Sequence, residues 1–132
     1  MGHQPFLVLS DAITRKGVAV LRCDDRGVAK STGVFDNATT LDFADDALAE
    51  VGALRSRPEI DRRHVGVVGH SEGSTVAVIA AAKSKDVAFV VLLAGPALPG
   101  DQIDNLQRAW FERAAGADAQ EIAATKAKWD EA

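Results

Sequence analysis

The run Gly69-His70-Ser71-Glu72-Gly73 sets a serine between two glycines. It follows the apolar stretch His64-Val65-Gly66-Val67-Val68-Gly69. It precedes Ser74–Lys83, whose Val76, Ala77, Ile79 and Ala80 keep helical spacing. A strand, then Gly-x-Ser-x-Gly, then a helix is an arrangement in which a serine hydroxyl can serve as a nucleophile. The serine sits on a sharp, strained turn that lifts Oγ above the C-terminal edge of the sheet, where ligands bind in parallel sheets. Glycine at 69 and 73 is expected to let backbone and neighbouring elements approach without Cβ clashes. The Glu72 backbone N–H is expected to face a developing oxyanion, with the helix N-terminus adding positive potential. The Glu72 side chain is expected to cap the helix or face solvent. The competing reading is a strand-to-helix turn whose small residues serve packing alone. The flanking strand and helix patterns favour the nucleophile.

Other residues that could do chemistry carry less. His3 and His64 are expected at the surface, His64 opening the strand at the end far from Ser71. His70 adjoins the nucleophile and could line a pocket, but it does not occupy the position of a general base. Asp24 and Asp25 are adjacent carboxylates, and adjacent side chains in extended chain point oppositely, so they are poor partners for one another. Lys30-Ser31-Thr32-Gly33 lacks the Gly-Lys-Ser order and upstream glycine of a phosphate-binding loop, so nucleotide binding is not expected. Trp110, Phe111 and Trp129 either pack the last helices together, the favoured reading, or line a lipophilic acyl pocket.

The elements that must position the serine alternate along the chain. Pro5–Lys16 reads as a helix, with Phe6, Leu9 and Ile13 on one face, Pro5 in the first turn and Gly17 at the stop. Val18–Cys23 reads as a buried parallel strand, and Asp24–Asn37 as a loop. Thr39-Thr40-Leu41-Asp42 has the hydroxyl-to-carboxylate spacing of a helix start, and Leu41, Ala44, Leu48, Val51 and Leu54 continue it to Arg55. His64–Gly69 and Val87–Ala94 read as two further buried strands around the Ser74–Lys83 helix. Ile103, Leu106, Trp110 and Phe111 mark a helix ending near Gly116, and Asp118-Ala119-Gln120-Glu121 the cap of a last one. The order αβαβαβ implies parallel strands with helices on the sheet faces.

The whole chain is compatible with one compact core: 132 residues, 47% apolar and 26% charged. Its net charge of −4 and the lack of a basic stripe argue against nucleic acid as the main partner. Arg55, Arg57, Arg62 and Arg63 read as a solvated helix end and turn. Cys23 is the one cysteine, so neither an intrachain disulfide nor a cysteine metal cluster can form. No metal or cofactor is expected. No apolar run reaches the roughly 20 residues of a membrane span, and Met1-Gly2-His3-Gln4-Pro5 lacks signal-peptide character. The cytoplasm is the default expectation.

Three blocks together resemble a known superfamily. Asp24-Asp25-Arg26-Gly27-Val28-Ala29-Lys30-Ser31 looks like the Asp-x-Arg-Gly-x-Gly-x-Ser loop after the fourth strand of α/β-hydrolases. Gly69–Gly73 looks like their nucleophile elbow, and Leu93-Ala94-Gly95-Pro96 like the end of their sixth strand. The resemblance runs from about His3 to about Gln107 and is closest to bacterial serine aminopeptidase (S33) and carboxylesterase-like hydrolases. Cys23 stands where an aromatic residue is usual and Ala29 where glycine is usual.

The resemblance implies a partial α/β-hydrolase fold, three-layer αβα with a mostly parallel sheet. Residues 1–100 would be the central portion of the core and 101–132 the start of a helical cap. It makes Asp24 and Asp25 structural, paired with Arg26 or with loop N–H groups, in a motif with Gly27. It implies a serine hydrolase of carboxylic esters or amides, working through an acyl-enzyme on Ser71. The triad acid and histidine of such enzymes lie on loops after the seventh and eighth strands, which have no counterpart here. The family's third strand would lie between 18–23 and 65–69, so those two must pair directly or find other backbone partners. The expectation is therefore an internal fragment of a longer hydrolase, inactive in isolation, with an oligomer or complementing chain completing the sheet. The alternative is a non-catalytic binding or assembly module on the same fold.

Overall fold

The computed structural model describes residues 4–130 and divides into two units, Met1–Gly95 and Pro96–Ala132. In the first unit, α1 (Pro5–Thr14) opens with Pro5, whose missing N–H is no loss in the first turn. Gly17, at φ +85°, turns the chain out of it. Helix α2 (Thr40–Arg55) starts on a reciprocal capping box. The Thr39 hydroxyl accepts from the Asp42 N–H, and the Asp42 carboxylate accepts from the Thr39 N–H at 2.8 Å. Arg62–His64 forms a single 3₁₀ turn, followed by β1 (Val67–His70), α3 (Glu72–Lys83) and β2 (Val90–Leu93).

Strands β1 and β2 are parallel, with Val67 opposite Val90 and His70 opposite Leu93. Backbone pairing runs past both ends of the ladder, from Ala88 N–H to Val65 C=O (2.8 Å) to Ser71 N–H on Leu93 C=O (2.9 Å). One face of this pair carries the core, where Val65, Val87, Val51 and Ala80 are buried together with Leu54, Val67 and Val90 against them. Helices α2 and α3 therefore cover that face. His70, on the alternate face of β1, meets the Phe6 ring of α1 edge-on at 5.7 Å between centroids. The order of layers is thus helix, sheet, helix, as expected for a partial α/β fold. Leu41 departs from the expected helix face and is exposed.

Three strand expectations need correction. Val18–Cys23 is not a strand. It is neither helix nor strand, and none of its backbone N–H or C=O groups bonds another described residue. It does not pair with β1, whose one sheet neighbour is β2. A strand exists only where a neighbour completes the ladder, and none stands beside these residues. The strand expected at His64–Gly69 begins at Val67 and includes His70, because Arg62–His64 is wound into the 3₁₀ turn. That at Val87–Ala94 is confined to Val90–Leu93, and α3 begins at Glu72 rather than Ser74.

The second unit holds α4 (Gly100–Ala114) and α5 (Ala119–Asp130). Gly116, at φ +99°, breaks the chain between them. Asp118 Oδ1 accepts from the Gln120 and Glu121 amides at 2.8 and 2.9 Å, while Glu121 accepts from the Asp118 N–H. That is the cap expected from the sequence. Among the described residues of this unit, Ile122 is the buried one. Trp110 and Phe111 are 73% and 70% exposed, so they do not pack these helices together as expected. The Trp129 side chain lies outside the described residues.

Candidate active site

Ser71 joins the end of β1 to the start of α3. Its backbone has φ +53° and ψ −122°, a region that residues with a Cβ adopt at a cost of about 1–3 kcal/mol. Hydrogen bonds hold it there. The Ser71 N–H donates to Leu93 C=O at 2.9 Å, and the Ser71 C=O accepts from the Ser74 N–H at 2.9 Å. Buried Ser74 secures the turn from beneath, its hydroxyl lying 3.0 Å from Gly69 C=O and 3.3 Å from Leu93 C=O. One hydroxyl thus links the ends of both strands to the first turn of α3.

The two motif glycines have different roles. A Cβ on Gly69 would run into the Gly73 carbonyl, so this position requires glycine. A Cβ on Gly73 would meet nothing within 4 Å, which corrects the expectation that both relieve clashes. Gly95 meets the elbow from the β2 side, where an added Cβ would come within 2.6 Å of Ser74 Cβ.

The Ser71 side chain is exposed and caps nothing on α3. The Glu72 and Gly73 amides, which open α3, bond no carbonyl among the described residues. The Glu72 side chain is exposed, one of the two placements expected for it, and its carboxylate accepts from Thr40 Oγ1 at 2.7 Å. This bond ties the elbow to the first residue of α2.

The loop after residue 23 is held from the helix side. Arg26 donates from Nε and one terminal nitrogen to the two oxygens of Asp46, both at 2.7 Å, and reaches Asp42 C=O at 3.1 Å. Of the two kinds of partner expected for Asp24 and Asp25, Arg26 is therefore not one, while a loop N–H is, at the Asp25 carbonyl. Their carbonyls accept instead, from Ser31 Oγ at 2.7 Å and from the Val28 N–H at 2.9 Å. Gly27 has φ +72°, and a Cβ there would lie 2.8 Å from Phe35 N. Ala29 has φ +47°, a left-handed conformation that accounts for the glycine usual at that place.

Of the histidines, His64 does not open the strand. It lies in the 3₁₀ turn with Nδ1 2.9 Å from Asp61 Oδ2. Bonds from the Arg63 side chain and backbone, then from His64, hold the Asp61 carboxyl far below the usual carboxylate range. His70 faces Phe6, and His3 lies outside the described residues. No described histidine or carboxylate is hydrogen-bonded to the Ser71 hydroxyl. Arg55, Arg57 and Arg63 each pair with a carboxylate, Asp86, Glu59 and Asp61 respectively.

His70, Glu72 and Gly73 also line an open trough of about 1740 Å³ in the first unit. Val18–Asp25 forms one wall and Val65–His70 the other. Within it the Cys23 thiol lies beside the Glu50 carboxyl. Burial first, then the charges of Asp46 and Asp25, raises the Glu50 carboxyl above its ordinary range against the opposing effect of Cys23. Burial, then Glu50, pushes the thiol up as well.

The family described as serine aminopeptidase, S33 matches residues 5–127. The chain belongs to this family. The S33 match covers both units and brings with it the α/β-hydrolase fold and hydrolase chemistry at the level of the family. No curated protein matches the chain. Among the described residues of this S33 member, no helix is long and apolar enough to cross a membrane. Sequence reading missed three contacts of its elbow and loop: Ser74 beneath the turn, Thr40 on Glu72, and Asp46 on Arg26. Only the last left a signal, since Asp42 and Asp46 are four residues apart on one helix face.

Proposed function

We propose that Ser71 is the nucleophile of a serine hydrolase acting on carboxylic esters or small amides. The observation that carries this reading is the Ser71 backbone at φ +53°, held between β1 and α3 with its side chain exposed. Ser71 Oγ attacks the acyl carbon and a new C–O bond forms. The hydroxyl proton passes to a base, and the carbonyl electron pair moves onto oxygen. The Glu72 N–H donates to that oxyanion, a contact worth about 3 kcal/mol. Collapse breaks the bond to the alcohol or amine, which leaves with the proton, and water later cleaves the acyl group from Ser71.

The described residues supply the nucleophile and one oxyanion donor. They supply no base bonded to Ser71, so these 132 residues alone are expected to be inactive or nearly so. That same observation favours the second reading, a non-catalytic module on the hydrolase fold. Fluorophosphonate labelling with and without imidazole as an external base separates the two. The nucleophile reading expects imidazole-dependent labelling at Ser71, abolished in Ser71→Ala. Labelling that survives in Ser71→Ala, or its absence at saturating imidazole, overturns it. Strong Ser71-dependent turnover of p-nitrophenyl acetate by the chain alone would overturn the expectation of inactivity.

A further inference from the structure

One bond of the elbow reaches outside its own turn. Thr40 Oγ1 donates to Glu72 Oε1 at 2.7 Å, across 32 residues of chain. Glu72 follows Ser71 and opens α3, and its N–H is the proposed oxyanion donor. One residue thus carries both that donor and a negative charge. An untethered carboxylate at a helix N-terminus is drawn to the nearby amides, which lack carbonyl partners and lie at the positive end of the dipole. Two other helices show this pull. The Asp42 carboxylate turns back onto the Thr39 N–H at 2.8 Å, and the Glu121 carboxylate onto the Asp118 N–H at 2.9 Å. In α3 the amides at stake are those of Glu72 and Gly73, the ones an oxyanion needs. The Glu72 carboxylate takes neither. Its partner is the Thr40 hydroxyl, and it bonds no amide among the described residues.

Thr40 is itself fixed. It is half-buried and is the first residue of α2, set by the capping box of Thr39 and Asp42. Arg26 braces the same turn by donating to Asp42 C=O at 3.1 Å. Val51 of α2 and Ala80 of α3 share the core, which holds the two helices together. A hydroxyl on a rigid turn therefore faces a flexible, exposed carboxylate.

We propose that Thr40 is a positioning residue of the Ser71 site: its hydroxyl holds the Glu72 carboxylate on α2, away from the α3 amides that receive the oxyanion. This rests on Ser71 being the nucleophile. Without the tether, the carboxylate competes with the oxyanion for those amides and repels it. The expected loss is about three- to tenfold in rate, the size of a like-charge contact partly screened at a protein surface.

The test measures the rate of fluorophosphonate labelling at Ser71 in the full 132-residue chain, with imidazole as base. In that step the Ser71 Oγ–P bond forms, the P–F bond breaks and fluoride leaves. Imidazole takes the hydroxyl proton, and the phosphoryl oxygen gains the charge that an acyl oxyanion would carry. Thr40→Val is expected to slow labelling about three- to tenfold. Thr40→Ser, which keeps the hydroxyl, is expected to come within about twofold of wild type. In a Glu72→Gln background, with no charge to hold, adding Thr40→Val is expected to change the rate by less than about twofold. A residue that merely supports the fold would slow labelling in both backgrounds, and that outcome overturns the proposal. Equal rates for wild type and Thr40→Val overturn it too, as does a loss in Thr40→Ser as large as that in Thr40→Val. Absence of Ser71 labelling in all of these proteins overturns the nucleophile reading itself, and this proposal with it.

Discussion

Val18-Ala19-Val20-Leu21 and Val65-Gly66-Val67-Val68 are near twins in composition, short, apolar and rich in β-branched residues. Val65 is 4% exposed, its carbonyl bonded to Ala88 and its side chain packed on Val51 and Ala80. Val20 is 39% exposed and its backbone bonds nothing among the described residues. The difference lies in the neighbours. Residues 65–70 have β2 on one edge and α2 and α3 on one face, whereas 18–23 face the open trough. Apolar β-branched composition makes a segment competent to be a strand, and a bonded neighbour makes it one.

The largest effect should come from the elbow. Gly69→Ala forces a Cβ onto the Gly73 carbonyl, and urea denaturation should show a loss of more than about 3 kcal/mol. Gly73→Ala, whose Cβ meets open space, should stay within about 0.5 kcal/mol of wild type. Equal losses in the two variants would mean that the close approach does not govern the turn.

The comparison of twins can be broken directly. Val65→Ala should cost about 2 kcal/mol as a cavity in the core. Val20→Ala should cost less than about 0.5 kcal/mol, because the side chain is already half in water. A loss at Val20 as large as that at Val65 would show 18–23 to be packed in solution.

Ser74→Ala comes next, at about 1–2 kcal/mol, because it leaves the Gly69 carbonyl without its buried donor. A thermal melt unchanged from wild type would remove Ser74 from the elbow's support.

The smallest effect is a dependence on pH inside the trough. Burial raises the Glu50 carboxyl in the folded chain, so its neutral form is the one the fold favours. The stability it contributes is full at acid pH and is lost as pH rises through the raised value. Glu50→Gln should therefore match wild type near pH 4 and become the more stable protein toward pH 8. A difference that is constant across this range, or one that reverses, would contradict the burial of Glu50.

Much of this was legible in the sequence, for physical reasons that differ from element to element. Pro5 and Gly17 bracket α1, and Thr39 with Asp42 starts α2, because caps are local chemistry. Gly69 to Gly73 marks the elbow because the constraint that demands Gly69 acts within five residues. Pairing was not legible at 18–23, since a ladder depends on a partner distant in the chain. Of the two alternatives for Asp24 and Asp25, pairing with Arg26 fails for the same reason. Asp24 and Asp25 adjoin it in sequence, but the bidentate geometry is met by Asp46, twenty residues on. Trp110 and Phe111 were read as packing residues from hydrophobicity alone, and hydrophobicity does not say what covers them.

The backbone of Ser71 sets stability against chemistry at a single residue. At φ +53° glycine is the comfortable occupant, so Ser71→Gly should raise the unfolding free energy by about 1 kcal/mol. Ser71→Ala keeps the Cβ and the strain and should show no such gain. A calorimetric gain in both variants, or in neither, would separate the strain from the backbone angle. A more durable fold would thus come from losing the Cβ, and with it the hydroxyl that the Cβ carries, so nucleophile and backbone comfort exclude one another at this residue.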